Sequence, residues 1–152
     1  VNNDSFSGRK RLVFFGFTNC PDFCPDTLND IGIVLEKINK KNNLIPIFIT
    51  VDPERDTVKR LKEYLSNFHP EIVGLTGTKE QIGEIKKKYK IFAKKIMHNK
   101  NKSDHHDSHD HGAYAVDHTT IIYLMDEKGK YLKHFNADVN NASMIKKINE
   151  YL

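Results

Sequence analysis

A chain of 152 residues with 38% hydrophobic and 29% charged side chains has the composition of one compact domain, able to bury about 68–70% of its unfolded surface, and wholesale disorder is excluded. The formal charge of +4 comes mainly from lysines scattered along helical stretches, Lys86, Lys87 and Lys88 among them. There is no basic stripe interleaved with aromatics, so the lysines read as a solvated face and not as a nucleic-acid footprint.

No apolar run approaches the ~18 residues of a membrane helix, and no secretory signal is visible. The sequence opens on Val1 without an initiator methionine, and the expectation is a fragment or processed form from which targeting or anchoring segments are missing. Residues 11–17, RLVFFGF, are a short continuous apolar run, as are residues 44–51, LIPIFITV. Both suit strands buried on two faces, and hence a parallel sheet. Between them Leu28, Ile31, Leu35 and Ile38 recur at helical spacing, completing a strand, helix, strand crossover.

Asp52-Pro53 stops the second strand. Asp56 or Thr57 can cap a helix whose inner face carries Val58, Leu61, Leu65 and Phe68, closed by His69-Pro70. A brief strand near residues 72–75 precedes a third helix with Ile82, Ile85, Tyr89 and Phe92 on one face. From residue 94 to residue 114 periodicity disappears. Residues 100–112, KNKSDHHDSHDHG, are polar and of low complexity, so residues 98–114 are expected to form an exposed, flexible loop.

Residues 119–125 and 130–135 read as two strands joined across Asp126-Glu127-Lys128-Gly129, a hairpin with glycine at its end. A last helix carries Ile145, Ile148 and Leu152. The expected architecture over residues 1–152 is a single α/β domain of thioredoxin-like arrangement: a central mixed sheet flanked by helices, with a His-rich loop insertion. Functional groups in open α/β sheets gather at the carboxyl edges of strands, and Cys20 follows the first strand.

Both cysteines of the chain fall in GFTNCPDFCPD, residues 16–26. Pro25 suits the first turn of a helix, because its fixed φ fits and its missing N–H costs nothing there. Cys24 then lies near the N-cap, where unpaired N–H groups and the helix dipole favour the thiolate. Spacing alone leaves two outcomes open, a disulfide or a shared metal ion. A polar loop with two prolines and two aspartates is a poor place for buried structural cysteines.

Cys20-Pro21-Asp22-Phe23-Cys24-Pro25, preceded by Phe15-Gly16-Phe17-Thr18, resembles the CPxxCP signature of the Sco family, copper-binding proteins of cytochrome c oxidase assembly. Residues 51–57, VDPERDT, resemble a second block of that family; residues 73–78, VGLTGT, a third; and residues 116–124, VDHTTIIYL, a fourth. The resemblance implies a thioredoxin-like domain in which Cys20, Cys24 and His118 bind one copper. Two soft thiolates suit Cu(I), and a single imidazole leaves the ion three-coordinate and exchangeable, whereas structural zinc takes four closed ligands. His118 falls where thioredoxin-fold oxidoreductases usually place a cis-proline. Asp117 can orient its ring or simply end a strand. Asp22 can tune the thiolates or only form the turn. Asp52, Arg55 and Asp56 read as a cap and ion-pair network.

The resemblance further implies a copper metallochaperone that matures the copper A site in subunit 2 of cytochrome c oxidase, fed by a small copper donor of the intermembrane space. The domain would face that space from the mitochondrial inner membrane, through an anchor absent from this chain, with a bacterial membrane protein as second choice. A β-hairpin that family members carry before the first buried strand is also expected to be missing. Such a gap would leave one sheet edge open. A reading of another class makes Cys20 and Cys24 a redox-active pair, cycling between dithiol and disulfide to reduce the oxidase subunit or sense redox state. A peroxiredoxin is a weaker third reading, opposed by the paired Cys24. His105, His106, His109 and His111 lie in the low-complexity stretch, with His98 slightly earlier, and accessory binding of Cu(II), Zn(II) or Ni(II) by these histidines is an option.

Overall fold

The computed structural model describes residues 3–6, 8–18, 23–38, 43–100, 121–136 and 140–152. A short 3₁₀ turn, Asn3–Phe6, leads into β1 (Lys10–Gly16), α1 (Phe23–Lys37), β2 (Leu44–Thr50), α2 (Val58–Leu65), β3 (Val73–Leu75) and α3 (Lys79–Lys100). The chain ends in β4 (Ile121–Met125), β5 (Tyr131–Asn136) and α4 (Asn141–Tyr151). The sheet order is β3-β2-β1-β4-β5. β1, β2 and β3 run parallel, while β4 pairs antiparallel with β1 and β5 antiparallel with β4. This is the mixed sheet expected from two crossovers followed by a hairpin.

Alternation along the central strands divides the core in two. Leu12 and Phe14 of β1, Phe48 of β2 and Ile122 and Leu124 of β4 face Leu28, Ile31 and Leu35 of α1, Leu61 of α2 and Ile148 of α4. Val13 and Phe15, with Ile47, Ile49 and Tyr123, face α3 through Ile82, Ile85 and Tyr89. Phe14 and Phe48 are fully buried, their ring centroids 5.8 Å apart at a tilt of 50°. Truncating such a ring costs about 3–5 kcal/mol, because the apolar contact is lost and a cavity remains.

Several boundaries differ from the sequence expectation. Thr57 is the N-cap of α2, its hydroxyl accepting from the Arg60 N–H at 3.2 Å, so Asp56 is released for another task. Val58 is 74% exposed. The helix meets the sheet through Leu61 and Leu65, and its first residue stands outside that stripe. α2 also stops at Leu65, before His69-Pro70, because the Asn67 and Phe68 N–H groups turn back only three residues, to the Tyr64 and Leu65 carbonyls at 3.3 and 3.0 Å, and tighten the chain out of the α-helical ladder. β3 comes so close to α2 that a Cβ on Gly74 would lie 2.5 Å from Leu65 Cδ1.

The expected loop, residues 98–114, is corrected in its first part: α3 continues to Lys100, through the aperiodic residues 94–97 and past His98. The stretch AKKIMHNK contains enough good helix formers to propagate the helix. Residues 101–120 lie outside the described residues, and so does the Phe92 side chain. In the β4–β5 hairpin Gly129 has φ +84°, a left-handed conformation that glycine adopts without steric cost.

Candidate metal centre

β1 ends at Gly16, and Val51 N–H extends the parallel ladder by donating to the Gly16 carbonyl at 2.8 Å. β4 enters the sheet at that same edge, since Phe14 pairs with Ile122 and Arg11 with Met125. The carboxyl ends of β1 and β2 and the start of β4 therefore converge at one end of the sheet. His118 is three residues before Ile121 in sequence, and Cys20 is four beyond Gly16. Both lie outside the described residues, as do Asp22, Asp117, His105, His106, His109 and His111.

Cys24 is the second residue of α1, with Pro25 the third. Helix start and proline placement differ by a residue or two from the expected cap. The chemistry is unchanged, because the first four N–H groups of any helix lack intrahelical partners. A backbone position in the first turn places Cys24 in the positive end of the helix dipole, which favours a thiolate. Its side chain is outside what the structure describes. Among the described residues no group of three His, Cys, Asp or Glu side chains is arranged to hold a metal, and none of their helices is long and apolar enough to cross a membrane.

The described polar centre at this edge is built on Asp56, 1% exposed. Its Oδ2 accepts from the Thr18 N–H at 3.0 Å and from the Thr50 hydroxyl at 2.6 Å; its Oδ1 accepts from the Thr18 hydroxyl at 2.5 Å. Arg60 Nε donates to the Thr18 hydroxyl at 2.8 Å and lies 3.7 Å from Asp56 Oδ1. Because that nitrogen can only donate, the Thr18 hydroxyl must direct its own proton to Asp56. Thr50 also receives the Asp52 N–H at 3.0 Å. The Asp52–Arg55 pair, by contrast, is an exposed contact of 3.6 Å.

The expected ion-pair network is thus present, and its reach is longer than the VDPERDT block alone indicates. Thr18, Thr50 and Arg60 were not picked out by sequence reasoning. The available signal was a threonine at the end of each of two apolar strands, close to the point where a carboxylate follows the second.

The SCO1/SenC family model matches residues 1–152. A SCO2-like protein of Rickettsia conorii is 43% identical over 145 residues, 95% of this chain and 66% of that protein. The mitochondrial protein SCO1 of Saccharomyces cerevisiae is 37% identical over 147 residues, 95% of this chain and 47% of its own length. The chain thus spans about two thirds of the rickettsial relative and about half of the yeast one. The crystal structure of yeast Sco1 with copper bound superposes with a TM-score of 0.76 at 35% identity, covering 98% of this chain and 81% of that one. A structure reporting a disulfide switch in BsSco, a member of the Sco family of cytochrome c oxidase assembly proteins, superposes with a TM-score of 0.63 at 26% identity, covering 97% and 82%.

Proposed function

Because the chain belongs to the SCO1/SenC family, we propose that it is a copper metallochaperone of cytochrome c oxidase assembly, taking one copper as cargo on Cys20, Cys24 and His118. The observation that carries this reading is the place of Cys24 in the first turn of α1, at the sheet edge where β1 ends and β4 begins. Two thiolates and one imidazole fit the ion chemically, since sulfur donors select Cu(I) and a three-donor shell leaves room for transfer to a recipient. The yeast relative solved with copper bound supports the choice of metal.

The recipient in this reading is the copper A site of subunit 2, and the supplier is a small copper donor of the intermembrane space. The mitochondrial name of the yeast relative supports a mitochondrial setting. On this reading the domain stands on the inner membrane and faces the intermembrane space. The rickettsial relative keeps a bacterial membrane setting as the second choice.

Native mass spectrometry of the reduced chain after Cu(I) loading tests the assignment. We expect about one copper per chain, lost in Cys20→Ala, Cys24→Ala and His118→Ala. No retained copper in the parent, or full retention in Cys24→Ala and His118→Ala, overturns it.

A second reading is favoured by the disulfide switch described in BsSco: Cys20 and Cys24 act as a dithiol–disulfide couple toward the oxidase subunit. Copper binds only the reduced pair, so both roles can share the site. His118→Ala separates them. If thiol exchange persists and oxidase assembly proceeds after copper binding is lost, the redox role is the working one.

A further inference from the structure

The Asp56 centre lies outside the proposed donor set, yet its hydrogen bonds end on Thr18, the last described residue before Cys20 in sequence. Thr18 stands two residues before Cys20 and is held three ways: by its N–H and hydroxyl on Asp56, and by Arg60 on the hydroxyl oxygen. Asp56 is in turn fixed from β2 by the Thr50 hydroxyl. The carboxylate therefore clamps the end of β1 to the end of β2 where the parallel ladder has run out. Two residues of chain span at most about 7 Å, so Cys20 is tethered within that distance of Thr18, and a shift of Thr18 shifts the origin from which Cys20 is reached. A chelate of two thiolates and one imidazole tolerates little of that shift.

Resting on the copper reading above, we infer that Asp56 is a positioning residue for Cys20. It sets, through Thr18, the geometry in which the two sulfurs meet one ion or each other. Its action is indirect, like that of the outer hydrogen-bond partners of metal ligands, whose removal typically lowers affinity about 10–100-fold.

The test uses the full chain with two readouts. One is Cu(I) affinity by competition with a chromophoric Cu(I) chelator. The other is the equilibrium of the metal-free Cys20–Cys24 pair with glutathione, which reports how well the thiols are held together. Thr18→Val removes the hydroxyl but keeps the N–H and the shape. It should lower Cu(I) affinity at least about tenfold and shift the thiol equilibrium toward the open dithiol. Thr18→Ser should restore both readouts to within about twofold. Thr57→Ala, which removes the α2 cap but does not touch Thr18, should leave both readouts unchanged while lowering stability in urea. If Thr18→Val does not fold, Arg60→Met removes the half-exposed partner of the same hydroxyl, and about a threefold loss in each readout is expected.

Unchanged readouts in Thr18→Val or Arg60→Met overturn the inference. So do losses in Thr57→Ala as large as those in Thr18→Val, because they mark a general effect of stability. Failure of the parent to hold copper through Cys20, Cys24 and His118 overturns the copper reading alone, and the thiol equilibrium still decides the role of Asp56.

Discussion

The two ends of the sheet each use an aspartate to gather hydrogen bonds where strand pairing stops, and they do so in opposite surroundings. At the carboxyl edge of β1 and β2, Asp56 is buried and takes three bonds from Thr18 and Thr50. At the far end, in the β4–β5 turn, Asp126 accepts the Lys128 and Lys130 N–H groups, each at 2.8 Å. Beside that turn Lys10 pairs with Glu127, whose side chain is 44% exposed. Water can replace the donors of Asp126 when they are lost, but it has no access to Asp56. The exposed end closes a hairpin, whereas the buried end ties Thr18, after β1, to Thr50 at the end of β2.

The difference should be largest in stability. Asp56→Ala removes the buried acceptor of the Thr18 N–H and of two hydroxyls, that of Thr50 fully buried, and about 3–5 kcal/mol should be lost. Urea denaturation measures this directly, and a loss below about 1 kcal/mol would mean that water reaches the site after all.

A half-buried polar group on the α3 face gives the next largest effect. Burial pushes the Tyr89 hydroxyl up to about 12, against a smaller opposing pull from Arg11. A raised value means that its contribution is complete below the ordinary tyrosine value of 10.0 and is lost as pH rises through about 12. The loss is about 3 kcal/mol. Tyr89→Phe should flatten the alkaline fall in stability over that window, as read from denaturation at a series of pH values.

The smallest effect belongs to Asp126, whose carboxyl is held below its usual range chiefly by the Lys130 N–H. A lowered value gives stability that is present above 3.8 and lost as pH falls through the folded value. Asp126→Ala should cost no more than about 1 kcal/mol at neutral pH, because the site is open to solvent. Its acid limb should converge with that of the parent chain.

What the sequence revealed follows from the range of the interactions involved. The strands, the first crossover and the hairpin were readable because apolar runs, helical spacing and Gly129 act within a few residues of themselves. The end of α3 was not: residues 94–100 hold good helix formers and no stop signal, and the helix runs on through them to Lys100. Val58 was misplaced because spacing cannot tell which residue of a short helix meets the sheet first.

The candidate donors were proposed on a different basis. Cys20 and Cys24 are local to each other, and His118 was found through family resemblance to its block, not by physics acting across nearly a hundred residues. The Asp56–Thr18 link joins residues 38 apart in sequence, and only the parallel register of β1 against β2 brings them together. A close reading of VDPERDT could assign a cap or an ion pair, but not the strand end that the carboxylate holds.

X-ray absorption at the copper edge on the Cu(I)-loaded, reduced chain tests the central claim most directly. The account predicts a shell of two sulfur donors and one nitrogen donor, with the nitrogen lost in His118→Ala. A shell of nitrogen and oxygen only, unchanged in Cys20→Ala and Cys24→Ala, would contradict it and assign the metal to the histidine-rich stretch instead.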